Sequence, residues 1–302
     1  MSENNKVVMA GASGMLGGAL AKSLQQSGWQ VVKLVRSTPQ TEGEVQWDPA
    51  AGELDPQVLA EADAIVCFSG APLVRWPWTR SYKKELVSSR IGPVETIVKA
   101  LKQLPQDQRP AQLVTASAVG YYGDRGEEIL TEDSRGANDF LAGLCRTWEE
   151  RARQAPVECT TQLRTGIVIG DGGFISALAP LAKLGALGSV GSGEQWMPPI
   201  ALEDHVRAVR FIIDNKLCGP INLVGPQPHR HREVMAQIAA AAGHKPAPRV
   251  PAAMARIGMG DMAQVVLTSQ RVLPTRLESA GFKFNLPSLE AMISRTEVAR
   301  ED

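Results

Sequence analysis

Charge of one sign is what this chain lacks most plainly: across 302 residues, 32 lysines and arginines stand against 32 aspartates and glutamates. That balance leaves, by count, no basic face for nucleic acid and no polybasic patch for a membrane surface. No apolar run approaches the ~20 residues of a membrane span. The opening MSENNKVVMAGASG has no charged region followed by an apolar one, so it does not read as a secretory leader. Cysteine is scarce. Cys67, Cys145, Cys159 and Cys218 are scattered without metal-ligand spacing and read as buried thiols of a reducing compartment. The four histidines form no HExxH-type pair. These absences lead to the expectation of a cytoplasmic protein with no structural metal. Tyrosine occurs only at Tyr82, Tyr121 and Tyr122, which leaves few candidates for tyrosine-based proton transfer.

What is present is an alternation of strand and helix patterns. KVVMAG is a β-branched run, and MLGGALAKSLQQSG has helical spacing that ends at Gly28. QVVKLVR, EVQWDP and ADAIVCFSG read as three further strands. The last is almost wholly apolar, the mark of a strand covered on both faces in a parallel sheet. YKKELVSSRIGPVETIVKALKQL reads as a helix interrupted near Pro93. AQLVTASAV is a fifth strand, DFLAGLCRTWEERARQ a helix, and TTQLRTGIVIG a sixth strand. This order predicts a doubly wound α/β sheet. After Gly170 glycine and proline become frequent and periodicity weakens, apart from the amphipathic EDHVRAVRFIIDN and the strand-like GPINLVG. The expected organisation is a dinucleotide-type domain over 1–170 and 204–225, with a smaller substrate-side domain over 171–203 and 226–302.

MAGASGMLGGAL follows a strand and opens a helix, with Gly11, Gly14 and Gly17 in G-x-x-G-x-x-G spacing. One glycine makes the tight turn, one lets a pyrophosphate approach the backbone, and one lets helix and strand pack closely. The helix N-terminus then offers free N–H groups to the phosphates. NAD sites usually place an acid about 20 residues further on, at the end of the second strand. Here that strand ends KLVRS, and Arg36 stands where the acid would be. A guanidinium suits a ribose 2′-phosphate, so the pattern favours NADP over NAD. The plainer alternative is a solvated arginine at a strand end.

With GASGMLG, VQWDPAAGELD, FSGAPLVRW, KKELVSSRI, SAVGYYG, DFLAGLCRTWEE, LRTGIVIGDGG, GSGEQWMP, GPINLVGP and SQRVLPTRLESAGFKF in this order, the chain resembles the extended short-chain dehydrogenase/reductases over nearly its whole length. Within them it is similar to the atypical "epimerase family" group, nucleoside-diphosphate-sugar epimerase-like proteins. The resemblance implies that Gly11, Ser13, Gly14, Met15, Leu16 and Arg36 hold NADP(H). It implies that Phe68 and Ser69 lie against the adenosine half, that Asp48 meets the adenine edge, and that Glu85 and Arg90 reach the cofactor. By spacing alone, Glu85 and Arg90 are an (i, i+5) pair on a solvated helix.

The wider superfamily works with a Ser–Tyr–Lys set in which tyrosine and lysine lie four residues apart on one helix. This chain has no Y-x-x-x-K: the residues four beyond its tyrosines are Leu86, Arg125 and Gly126. Alignment on Trp148-Glu149 puts Leu141 at the tyrosine position and Cys145 at the lysine position. The usual serine offset lands on Ala118, and Ser117 points to the opposite face of its strand unless the turn holds an extra residue. Tyr122 is expected as a wall beside the nicotinamide half, with Tyr121 freer to carry a proton. Ser117 and Tyr121 are therefore the catalytic candidates. Relatives often read M-P-W-I-H where this chain has Pro199 and Ala201, so family substrates transfer poorly. Arg164, Gln195 and Trp196 remain as cleft residues. Two readings stay open: an NADP(H)-dependent oxidoreductase or epimerase-like enzyme on a small or sugar-nucleotide-like molecule, and a catalytically silent NADP(H)-binding sensor or scaffold. The charge balance disfavours nucleic-acid binding.

Overall fold

The computed structural model describes residues 5–299. The outermost residues of both expected domains, including the first four of the segment read for a leader, lie outside the described residues. Seven strands form one sheet: β1 (Lys6–Ala10), β2 (Gln30–Val35), β3 (Glu44–Gln46), β4 (Ala64–Cys67), β5 (Gln112–Ala118), β6 (Cys159–Thr165) and β7 (Gly219–Leu223). Their order is β7-β6-β5-β4-β1-β2-β3, and every pairing is parallel. Parallel strands require crossovers, and helices supply most of them: α1 (Met15–Gln26), α2 (Arg80–Gln103), α3 (Phe140–Ala152) and, before β7, α5 (Leu202–Asp214). The strands are apolar on both sides because both sides are covered. Val7, Met9, Val66, Val114 and Leu163 pack with Leu20 and Leu24 of α1 and Val209 and Ile212 of α5. Val8, Ala10, Ile65 and Leu113 pack with Ile91, Val94 and Ile97 of α2 and Leu144 and Trp148 of α3.

Two local expectations are corrected. The α2 helix runs unbroken through Pro93, which is buried. Proline removes one backbone bond, but Ile91, Val94 and Ile97 bury against the sheet, and Thr96 Oγ1 donates to the Gly92 carbonyl at 2.8 Å. The segment TTQLRTGIVIG is two strands. The chain turns away at Gly166, whose N–H still bonds the Leu223 carbonyl in β7 (3.0 Å), whereas the Ile167 N–H bonds Pro198 O (3.0 Å). Ile167–Ile169 then pairs in parallel with Pro199–Ala201, outside the main sheet. A side chain at 166 would put Cβ 2.2 Å from Pro198 O, so only glycine fits this departure.

The second lobe is built on α4 (Gly173–Lys183) and α6 (His231–Ala241), with two-stranded pairings of Gly188–Val190 with Ala247–Val250 and of Trp196–Met197 with His229–Arg230. Ile175, Leu187, Val234, Ile238 and Met292 form its core. Among the described residues, no helix is long and apolar enough to cross a membrane. Likewise, no cluster of three or more histidines, cysteines or acids is placed to hold a metal.

The reading of four buried thiols is also corrected. Cys67 and Cys145 are buried and free, but Cys159 and Cys218 are joined in a disulfide across 59 residues, and Cys218 is exposed. The bond ties the start of β6 to the turn entering β7, two neighbouring strands whose adjacency no cysteine spacing announces.

Candidate functional site

In a doubly wound sheet the carboxyl edge at the switch between β1 and β4 is where ligands sit. The glycine turn occupies that edge. Gly11 has φ +81°, and a Cβ there would lie 2.6 Å from the Phe68 carbonyl carbon, so the turn is pressed onto the end of β4. A Cβ at Gly17 would sit 2.2 Å from Gly11 O, which fixes the close helix–strand contact. Gly14 is different. It is the N-cap of α1 at φ −78°, ψ 167°, with no side-chain cap and no acid in the first turn. A Cβ there would meet only Gly11 O, at 3.6 Å. Neither strain nor crowding within the protein demands glycine at 14. An uncapped helix start facing open space is suited to a phosphate. The residues present therefore fit a dinucleotide pyrophosphate. Ser13 is exposed, and Met15 and Leu16 turn inward onto the core, with Met15 Sδ against Gly172 and Gly173 at the start of α4.

Arg36 follows β2 directly, and β2 lies beside β1 with Leu34 opposite Ala10, so it emerges at the same edge as the turn. It is exposed and has no hydrogen-bond or ion-pair partner among the described residues. Asp48 is exposed nearby, since the Trp47 N–H bonds Val35 O at 3.0 Å, and its Oδ1 accepts from Ala50 N and Ala51 N at 2.8 and 3.1 Å. Phe68 and Ser69 are half-buried behind Gly11, and the Phe68 ring meets buried His205 edge-on at 6.1 Å. Glu85 and Arg90 do not pair with each other. Glu85 faces Arg75 at 3.9 Å on the surface. Arg90 is buried over the Trp148 ring, and burial holds its pKa below the ordinary value. It donates to Leu86 O and Ala71 O at 3.1 and 3.0 Å, while the Ala71 N–H donates to Ser89 Oγ at 2.9 Å. Arg90 and Ser89 thus hold both backbone polar groups of one residue, Ala71, in the loop behind the glycine turn.

At the end of β5 the polar groups face inward. Ser117 Oγ donates to Glu149 Oε1 at 2.8 Å; both residues are buried. Arg164 grips the same carboxylate in a fork, at 2.9 and 3.0 Å, and donates to the Tyr122 hydroxyl at 3.0 Å. That hydroxyl donates to Asn222 Oδ1 at 2.6 Å, and the Asn222 N–H donates to Glu132 Oε1 at 3.1 Å. Burial pushes the Tyr122 pKa up to about 12 despite the nearby guanidinium. Burial works against the Arg164 charge, but Glu149 and Tyr122 more than offset it and hold its pKa above the usual value. Glu149, Glu132 and Asn222 were not singled out from the sequence; the Trp-Glu after DFLAGLCRT was the one available hint.

Tyr121 lies edge-on to Tyr122 at 5.3 Å, with the Arg164 guanidinium 3.6 Å from its ring centre, and its hydroxyl has no partner among the described residues. Leu141 packs against Gly120, where a Cβ would lie 3.5 Å from Leu141 Cβ. Cys145 is buried, its thiol pushed up to about 11 chiefly by desolvation. The cleft candidates Gln195 and Trp196 are engaged elsewhere. Gln195 Nε2 donates to Val190 O and Val266 O, both at 2.8 Å. Trp196 lies against Arg230 and Arg271, at 3.7 and 4.7 Å from its ring centre, and donates to Glu127.

Comparison with known proteins agrees with this layout. The profile of the NAD dependent epimerase/dehydratase family matches residues 7–225, and that of a domain of unknown function, DUF1731, matches 250–295. An epimerase family protein of Mycobacterium bovis is 36% identical over 287 residues, covering 93% of this chain and 94% of its own. The chloroplastic SDR39U1 homologue of Arabidopsis thaliana, also an epimerase family protein, is 33% identical over 291 residues, covering 92% and 82%. The crystal structure of human epimerase family protein SDR39U1, solved with NADPH, superposes with a TM-score of 0.89 at 28% identity, over 97% of this chain and 99% of that one. On its fold, its glycine turn and these matches, the chain belongs to the NAD dependent epimerase/dehydratase family.

Proposed function

We propose that the protein is an NADP(H)-dependent oxidoreductase or epimerase-like enzyme acting on a small molecule without a Tyr-x-x-x-Lys pair. The observation that carries the cofactor reading is the uncapped start of α1 at Gly14, with the unpaired Arg36 at the same sheet edge. In this reading the N–H groups of the first turn of α1, around Gly14, Met15 and Leu16, bind the pyrophosphate. Ser13 offers a further hydroxyl, Arg36 meets the 2′-phosphate, and Asp48 meets the adenine edge through the carboxylate oxygen its own turn leaves free. Phe68 and Ser69 back the adenosine half. Arg90 acts through the Ala71 peptide, and Glu85 lies at the rim. When bound, the dinucleotide supplies or accepts the hydride. Tyr121 offers the unengaged hydroxyl for a substrate oxygen, and Ser117 orients Glu149 rather than a substrate. Human SDR39U1 solved with NADPH supports the cofactor class. A cytoplasmic setting goes with this reading, although the Cys159–Cys218 bond runs against a reducing compartment.

The test is titration of NADPH and NADH, by fluorescence or calorimetry, against the wild type and Arg36→Leu. A charge-assisted hydrogen bond of roughly 1.5–3 kcal/mol gives NADPH a preference of about 10- to 150-fold. Solvent access at Arg36 favours the lower part of that range. Arg36→Leu is expected to weaken NADPH binding and leave NADH nearly unchanged; equal binding of both cofactors by the wild type overturns the assignment. A second reading, a catalytically silent NADP(H)-binding sensor or scaffold, is favoured by Leu141 and Cys145, neither of which transfers a proton as the superfamily pair does. It predicts tight NADPH binding with no turnover of any carbonyl or sugar-nucleotide probe.

A further inference from the structure

The wall beside the carboxyl ends of β4 and β5 is apolar, and both lobes build it. Trp78, Tyr82 and Leu86 form a buried cluster, and partly exposed Leu73, Phe140, Leu141, Met262 and Val265 pack onto it. These come from the loop after β4, the first turn of α3 and the second lobe, which the Lys83–Asp261 ion pair clasps to α2. The polar atoms of the cluster are already spent. Trp78 Nε1 donates to Leu73 O at 3.0 Å, and the Tyr82 hydroxyl donates to Pro72 O. The rim cations are matched as well, Arg75 by Glu85 and Lys83 by Asp261. Phe140 stands edge-to-face with Trp78 at 6.2 Å, and one face of its ring is covered by the Lys83 ammonium at 5.2 Å.

A sugar nucleotide brings several hydroxyls and at least two negative charges. Each hydroxyl turned to this wall would lose water without gaining a partner. One hydroxyl in the adjoining segment is not spent. Tyr121 follows Gly120, which packs on Leu141, and its hydroxyl is unpartnered among the described residues. We infer that the substrate is an uncharged aryl or conjugated carbonyl compound, its apolar body on the Leu73–Phe140–Leu141–Met262 wall and its oxygen toward Tyr121. This inference deepens the enzyme reading above and rests on it.

The test is calorimetric titration of 2-acetylnaphthalene into the full chain saturated with NADP⁺, so that no hydride can be delivered, with UDP-glucose titrated in parallel. Saturable binding of the ketone and none of UDP-glucose is expected. Leu141→Asp and Met262→Asp, one from each lobe, are each expected to weaken ketone binding by about tenfold or more, because a carboxylate then faces the apolar body. Their NADP⁺ affinity should stay within about twofold of wild type, which shows on the same sample that the variants are folded. Binding of UDP-glucose in place of the ketone, or ketone binding indifferent to both substitutions, overturns the inference. Normal NADP⁺ binding with no ketone binding overturns it alone, whereas absence of NADP⁺ binding brings down the enzyme reading and this inference together.

Discussion

At the glycine turn the polar groups face outward without partners; at the end of β5 they face inward and are tied to one another. Both regions lie on one sheet edge, yet they answer to different pressures. The first turn of α1 leaves backbone N–H groups unsatisfied by the protein, and Arg36 beside it is unpaired, so a ligand can complete what the chain leaves open. The Ser117–Glu149–Arg164–Tyr122–Asn222 network leaves little open. Its charges are buried, and a buried carboxylate–guanidinium pair holds structure together only while both partners remain. Polar residues at one edge thus divide into those left without partners and those used up in the fold. Burial, not residue type, separates them.

The largest effect should come from breaking the inward network. Glu149→Ala leaves the buried Arg164 charge uncompensated and is expected to cost about 3–5 kcal/mol in a urea unfolding midpoint analysis. A loss under about 1 kcal/mol would mean that water already reaches Arg164.

Acid should find two buried histidines, one beside the glycine turn and one in the second lobe. Burial holds His205, behind Phe68, and His231, in the second lobe, neutral, with pKa values pushed down to about 4. In the unfolded chain each takes up a proton near the ordinary value of about 6.5. The unfolded state therefore binds more protons between these values, and stability present above pH ~6.5 is lost as pH falls toward 4. The expected loss is about 2–3 kcal/mol per histidine, read from unfolding at stepped pH. His205→Gln and His231→Gln should each flatten part of that slope.

A substitution at the outward region should have the reverse profile. Gly14→Val fills space the protein does not use, so stability should drop by at most about 1 kcal/mol, the cost of a poorer N-cap. NADPH affinity should fall by about tenfold or more as the branched side chain meets the pyrophosphate. Normal NADPH binding by this variant would remove the comparison altogether. Tyr121→Phe is the smallest change. Its hydroxyl has no partner among the described residues and its ring stack survives, so stability should move by less than about 0.5 kcal/mol with NADPH binding unchanged. Steady-state turnover of a carbonyl substrate should still fall, and undiminished turnover would remove Tyr121 from the reaction.

The outward region was the more legible of the two for a physical reason. Gly11, Gly14 and Gly17 lie within seven residues, and local rules of turn, helix start and close packing dictate their spacing. The inward network joins residues 15, 32 and 100 positions apart in sequence, as in Arg164 with Glu149, Ser117 with Glu149 and Tyr122 with Asn222. No spacing rule announces such partners. The same holds for Cys159 and Cys218, which read as scattered thiols until β6 and β7 became neighbours. Helix α2 ran on through Pro93 because burial along its whole length outweighed one missing bond, a weighing that local propensity does not contain.

By itself the sequence determined the parallel α/β class, through strands apolar on both faces, and the tight turn between β1 and α1, through its glycines. It also determined the absence of a tyrosine–lysine pair, since no Y-x-x-x-K is written in it. Only the tertiary structure decided that Ser117 turns to Glu149, that Gly166 carries the chain out of the sheet, and that Leu73, Leu141 and Met262 share one wall. Short-range features obey the geometry of one turn or one strand. The others depend on which distant segments the closing of the core brings together, and packing selects that for the molecule as a whole.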